Sequence, residues 1–289
     1  MNKKSLFAAI LVLALVTMAC GVQFNIPTTE VKTGPTQTDD ISVPVPDSKP
    51  PIDLSLTFGA GELNLEPATQ DALVSGTATY NVTDFKPEID ASGSQVEIKQ
   101  GNLEINGIPN FQKSIKNEWD LKINKDTPLN LKISAGAYSG RYEFGGLSLE
   151  NLEITDGASD VNVDFSEPNQ VEMTAFRYNT GASNVTLENL GNANFSTLIF
   201  KGGAGSYKLN FEGEMKQDAV VNIESGISTV TIVVPEGVPA EVSFEGGLSN
   251  VQTFGEWKQS GDSYSMEGNG VKLTILVKMG AGTLELRNK

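Results

Sequence analysis

The sequence predicts an all-β fold: a β-helix or solenoid-like stack of coils of about 23 residues, with an N-terminal β cap. Three observations predict it. One phrase recurs, as Gly157-Ala158-Ser159, Gly181-Ala182-Ser183, Gly203-Ala204-Gly205 and Gly226-Ile227-Ser228, each followed by alternating apolar residues. Gly59-Ala60-Gly61 opens the series, Gly280-Ala281-Gly282 closes it, and worn copies start at Ser134 and Gly247. From Ser134 to Gly247 the starts are spaced by 23, 24, 22, 23 and 21 residues. Within each unit the apolar positions alternate, as in Val161, Val163 and Phe165 or Tyr207, Leu209 and Phe211, which is the period of a strand and not of a helix. A propeller blade needs about 40–45 residues, so the shorter unit favours stacked coils.

The glycines have a physical task in such a stack. Equivalent corners of successive coils lie about 4.8 Å apart, which leaves little room for a Cβ, and glycine also accepts a positive φ without steric cost. A phosphate-cradling loop would need a following helix and usually a lysine. No helical pattern follows these phrases, and Lys208, after Gly203-Ala204-Gly205, stands in a strand-period run.

Taken in order, the chain opens with a targeting pattern. Lys3 and Lys4 precede the apolar run Leu6 to Met18, too short to span a bilayer. The run ends Thr17-Met18-Ala19-Cys20, which resembles a bacterial lipoprotein signal with Cys20 as the lipidated residue. Residues 1–19 are expected as a signal peptide and the protein as exported and lipid-anchored to the cell membrane, facing outside the cytoplasm. Cys20 is the one cysteine of the chain, as expected where stray thiols are avoided. Residues 20–51, rich in Thr, Pro, Asp and Ser, read as a disordered tether. Residues 52–133 read as the cap and first coils, with short strands at Thr77 to Val82, Gln95 to Lys99 and Asn102 to Ile105. Residues 134–289 read as the repetitive solenoid.

Within the cap and first coils stand Trp119-Asp120-Leu121-Lys122-Ile123-Asn124 and Thr127-Pro128-Leu129-Asn130-Leu131-Lys132-Ile133, and a little later Gly146-Leu147-Ser148-Leu149-Glu150-Asn151-Leu152-Glu153-Ile154. With the small-residue repeats, these stretches resemble the bacterial toastrack group: the DUF2154 domain at the N-terminus of toast_rack and the related adhesin-type DUF4097 domains. The resemblance runs from about residue 50 onward. It implies a β-helix-like domain, often exported or membrane-tethered, without an established enzymatic activity. Related domains occur in proteins that respond to cell-wall-active antibiotics. No catalytic residues are defined for the group.

Composition narrows the chemistry. The 289 residues include 36 acidic and 21 basic side chains, a net charge of −15, and no histidine. A strongly acidic exterior repels phosphate backbones, so nucleic acid is not an expected partner. Without imidazole there is no Ser-His-Asp triad and no histidine metal site. Asp156, Asp160 and Asp164, with Glu167 nearby, are the best calcium candidates, but the other copies carry Thr180, Asn184 and Glu188 at the matching places. A calcium-binding repeat would present Asp at every turn, so the cluster reads as a solvated acidic edge and no metal or cofactor is expected. Arg141-Tyr142 and Arg177-Tyr178 are the candidate ligand contacts, because Arg and aromatic residues dominate binding hot spots. Trp119 and Trp257 read as fillers of the solenoid ends rather than sugar platforms. Asn81, Asn184 and Asn194 stand in Asn-x-Ser/Thr patterns, which are incidental in a bacterial lipoprotein. The expectation is a non-enzymatic envelope lipoprotein, adhesin-like or envelope-sensing, with an envelope protein or cell-wall glycan as partner. A polysaccharide-active β-helix enzyme and a passive spacer are the alternatives.

Overall fold

A computed structural model describes residues 28–101, 108–110 and 115–289. Strands are numbered along the chain. One small unit holds β1 (Thr28–Glu30) paired in parallel with β7 (Ile108–Asn110). The main unit holds β2 (Gln37–Pro44), β3 (Ile52–Ala68), β4 (Ala72–Tyr80), β5 (Pro87–Ser92), β6 (Gln95–Gln100), β8 (Asn117–Asn124) and β9 (Leu129–Glu143). It continues with β10 (Leu149–Asp164), β11 (Met173–Glu188), β12 (Phe195–Asn210), β13 (Ala219–Val234), β14 (Ala240–Phe254), β15 (Lys258–Ser260), β16 (Ser263–Met266) and β17 (Leu273–Asn288). All of these join in one 15-stranded sheet.

Each coil is a single long strand folded at its glycine, followed by a loop back to the next start. The glycine separates an entry arm from an exit arm, and alternation resumes beyond it. In β10, Leu152 and Ile154 point inward before Gly157, and Val161 and Val163 do so after it, followed by the buried Phe165 just beyond the strand. Stacking in register turns these positions into continuous apolar rows. Leu54, Leu131, Leu152, Phe176, Leu198, Val221, Ile275 and Val242 form one such row, and all are buried. Each side chain removed from water contributes about 1.5–3 kcal/mol, so the stack is held chiefly by its rows rather than by any single contact.

The corners stack as the composition of the repeat requires. A Cβ on Gly136 would overlap the carbonyl oxygen of Gly59, and one on Gly203 that of Gly181. The same close approach links Gly226, Gly280 and Gly247, the last of these meeting Gly280 at 2.8 Å.

That order contains a departure from the sequence. Consecutive copies should lie side by side, yet β17 inserts between β13 and β14, parallel to both. After β14 the chain turns back through β15 and β16, and β16 runs antiparallel to the entry arm of β14 at Ala240–Ser243. The next strand then enters the gap between two older ones.

At the other end β3 is the first coil. Its entry arm is covered by β6 and β5, and its exit arm by the antiparallel set β8, β4 and β2. Here the tether expectation needs correction. Gln37–Pro44 is an edge strand paired with β4, with Ile41 and Val43 buried and Asp39 accepting a hydrogen bond from the Tyr80 hydroxyl at 2.8 Å. Two apolar residues at the strand period suffice to dock a polar segment onto an existing edge. Trp119 on β8 is fully buried and meets Phe58 edge to face at 5.3 Å. Trp257 is half-buried against the same core. The signal segment, Cys20 and Asn102 to Ile105 lie outside the described residues.

Candidate binding groove

Strand alternation decides which sequence-predicted site residues can meet a ligand. Neighbouring residues of a strand point to opposite faces, so Arg-Tyr pairs are split. Tyr142 and Tyr178 are 2% and 0% exposed and lie inside the stack, which removes them as ligand contacts. Arg141 and Arg177 stay exposed but apart. Arg141 is on the exit arm of β9, beside Glu66, Asp120, Glu143 and Asp164. Arg177 is on the entry arm of β11.

The acidic candidates also separate. Asp160 faces solvent, Asp164 lies half-buried on the exit arm and accepts a hydrogen bond from Asn189 at 2.7 Å, and Asp156 points inward. The flip occurs because the glycine corner between Asp156 and Asp160 resets the alternation. Asp156 is 6% exposed and accepts hydrogen bonds from the hydroxyls of Tyr178 at 2.7 Å, Tyr138 at 3.4 Å, and Thr180. Tyr142 in turn donates to Tyr138 at 3.0 Å. Burial, followed by the neighbouring Tyr138, pushes the Tyr142 hydroxyl well up from its usual value. The same burial raises Tyr178, with charge effects of Tyr138 and Asp156 adding to it. Asp156 is thus the acceptor of an internal tyrosine network, and among the described residues no acidic cluster is arranged as a metal site.

What the fold assembles instead is a groove of about 510 Å³ on the outer face of the entry arms, crossing β5, β6, β3, β9, β10 and β11. Register sets its lining in two rows. One row runs Ser92, Gln95, Asp53, Asn130 and Asn151, and the other Asp90, Glu97, Ser55, Lys132, Glu153 and Arg177. In the first row Asn151 donates to Asn130 at 2.9 Å and Asn130 donates to Asp53 at 2.7 Å. This amide ladder orients each side chain by the next. In the second row Lys132 pairs with Glu153 at 3.4 Å, and Arg177 ends the row without an ion pair among the described residues. Of the site residues read from sequence, only Arg177 lies here. The rest of the lining was invisible because its members sit on six strands and meet only through register.

A larger groove, of about 770 Å³, follows the glycine corners past Lys201, Glu224, Lys278 and Glu245. Its charges are spent on one another, Lys201 with Glu224 at 3.4 Å and Lys278 with Glu245 at 3.3 Å. The entry-arm groove is therefore the better recognition surface, with fixed amides, carboxylates and a free guanidinium spaced at the strand interval of about 4.8 Å.

Three solved structures align with most of this chain. A solved structure of a candidate cell adhesion protein from Clostridium sporogenes ATCC 15579 aligns over 88% of this chain and 100% of its own, at 19% identity and a TM-score of 0.50. A candidate adhesin from Bacteroides fragilis NCTC 9343 aligns over 89% and 99%, at 10% identity and a TM-score of 0.36. One from Parabacteroides merdae ATCC 43184 aligns over 90% and 98%, at 10% identity and a TM-score of 0.32. At these identities the first likeness is one of fold. No curated protein matches the chain. The family of the N-terminal domain of toast_rack, DUF2154, matches residues 32–188 and 168–233. With more than half its length accounted for in this way, and with every long strand bent at a stacked glycine, the chain belongs to the toast_rack N-terminal domain family, DUF2154.

Proposed function

We propose that this protein is a non-catalytic, adhesin-like binding module of the bacterial cell envelope, anchored through a lipid on Cys20, whose entry-arm groove holds a cell-wall glycan. The observation that carries the reading is the ordered ladder Asn151–Asn130–Asp53 beside Lys132, Glu153 and Arg177. Pre-oriented amides and carboxylates suit a hydroxyl-rich polymer, because each hydroxyl can both donate and accept. The repeat extends such a surface over several coils, as recognition surfaces of solenoids do. Among the described residues this groove has no exposed aromatic platform, so recognition rests on hydrogen bonds and on Arg177.

The test is retention of the full chain on insoluble cell-wall glycan, with and without Asn130→Ala/Arg177→Ala. Loss of retention in the double variant, with the glycan recovered intact, supports the reading. Retention that survives the double variant removes the groove from it. Release of soluble oligosaccharide in proportion to protein would make the chain an enzyme. For the anchor, Cys20→Ser should move the protein from the membrane fraction to the soluble exported fraction, and unchanged partitioning would remove the lipid.

A further inference from the structure

The sheet has free strand edges at β2, β5, β15 and the exit arm of β14 among the described residues. Natural sheets defend such edges with charge, proline or brevity. Three of these follow the rule. β2 carries Asp39, Asp40 and Pro44, β5 carries Pro87, Glu88 and Asp90, and β15 is three residues long and starts with Lys258. The exit arm of β14 does not. Its run Leu248-Ser249-Asn250-Val251-Gln252-Thr253-Phe254 has no charge and no proline, in a chain of net charge −15. Its entry arm is covered by β16 at Ala240–Ser243, so the undefended stretch is confined to the exit arm. Two large apolar side chains are exposed on it, Leu248 at 86% and Phe254 at 42%.

We infer that this edge pairs antiparallel with the same edge of a second copy of the chain, around a two-fold axis through Val251. The occupant follows from charge and from the order of the residues. Two molecules of net charge −15 repel, so self-association needs a locally neutral surface. The neighbouring strand keeps this one neutral, because Glu285 and Arg287 are paired with each other at 2.8 Å. Centred on Val251, the run is complementary to itself. Leu248 faces Phe254 of the copy, Asn250 faces Gln252, Ser249 faces Thr253, and Val251 faces its equivalent. Leu248, Asn250, Gln252 and Phe254 share one face by alternation, so each half of the pair sets an apolar contact beside an amide–amide pair, the cross-strand combinations that stabilise sheets. Arg287, with its guanidinium 4.3 Å from the centre of the Phe254 ring, braces that ring on the shared face. The result is one sheet running continuously through two molecules.

Sedimentation equilibrium of the full chain in density-matched non-ionic detergent tests this. Wild type should reach a dimer as concentration rises, more readily at higher salt because the net charge is screened. Asn250→Lys/Gln252→Lys sets lysine against lysine twice across the axis and should raise the dimer Kd by at least about tenfold. Asn250→Glu/Gln252→Glu should do the same, and mixing the two variants should restore the dimer. Both positions are exposed, so at concentrations where wild type is monomeric the thermal midpoint should stay at the wild-type value, and hydrogen exchange should show the amides of residues 248–254 that point away from β17 protected only in the dimer. A monomeric wild type, a lysine variant that dimerises as well as wild type, or mixed variants that stay monomeric would each overturn the inference. Protection of the outward-pointing amides of residues 248–254 in the monomer would do so too, by assigning the edge to another segment of the same chain.

Discussion

Lys278 stands in its row between Glu224 and Glu245, with its ammonium 3.3 Å from the Glu245 carboxylate. Were β14 to follow β13 directly, as the order of the chain suggests, two glutamates would face each other across adjacent strands. The late strand β17 therefore completes the alternating row Lys201, Glu224, Lys278, Glu245. The pair is largely exposed, so it selects the order of strands more than it stabilises them. Lys278→Ala should cost less than about 1 kcal/mol in denaturant unfolding. Lys278→Glu should cost more than Lys278→Ala, by an excess that shrinks as salt is added. An excess indifferent to salt would show that charge is not what matters at this position.

The corners make a sharper demand. Gly205 has a φ of +153°, and a Cβ there would overlap the backbone oxygen of Ser183. Gly205→Ala should destabilise by at least about 2 kcal/mol. Gly237, with a φ of +80° and open space where a Cβ would sit, separates backbone strain from collision, and Gly237→Ala should cost only about 1–2 kcal/mol. Equal costs at the two sites would argue against collision at the corner.

Asp156 is the third point of leverage. Asp156→Ala orphans the buried hydroxyls of Tyr178 and Tyr138 and should cost about 2–4 kcal/mol. Tyr207 supplies the contrast, since its buried hydroxyl has no hydrogen-bond partner among the described residues. Tyr207→Phe removes an unsatisfied group without opening a cavity and should be neutral or stabilising, whereas Tyr178→Phe should destabilise. Urea denaturation of the three variants reads this ordering directly.

The same tyrosines fix the alkaline limit of the fold. Burial raises the hydroxyls of Tyr138, Tyr142, Tyr178 and Tyr207, and burial with the Asp39 hydrogen bond pushes Tyr80 up to about 12. An unfolded tyrosine ionises near 10, so above that value the unfolded state releases protons that the folded state keeps. The contribution is therefore fully present below about pH 10 and is lost as pH rises beyond it. Stability should fall steeply on that side, and the tyrosinate absorption of these residues should appear with loss of the sheet's circular dichroism. Ionisation of the buried set in the intact fold would contradict the burial described here.

The solenoid was legible because its repeat is dictated locally. A corner that admits no Cβ must be glycine in every copy, and an interior row must be apolar in every copy. The place of β17 was not legible in the same way. Its phrase Gly280-Ala281-Gly282 looks like any other, and only the wider gap after Gly247, filled by β15 and β16, marks a change of direction. Alternation would have assigned Tyr142 and Tyr178 to the interior once the strands were drawn, but the hot-spot composition of Arg-Tyr pairs pointed outward for both residues. Asp53, Asn130 and Asn151 escaped notice because 77 and 21 residues separate their hydrogen-bonded pairs, and nothing in one sequence records register.

The position of β17 also constrains how the molecule comes into being. A chain emerging from its N-terminus lays down β13 and then β14, but the strand that belongs between them arrives only after both. Until residues 273–288 are available, β13 keeps a bare parallel edge and β14 has only its short β16 partner. Growth by simple addition of coils stops at β13, and the closing step is an insertion whose partners are already in place. Such long-range parallel pairing is slow to form and exposes aggregation-prone edges while it waits. The vulnerable interval of this protein therefore falls late in its folding, after β14 has formed and before β17 is threaded between two strands that have gone before it.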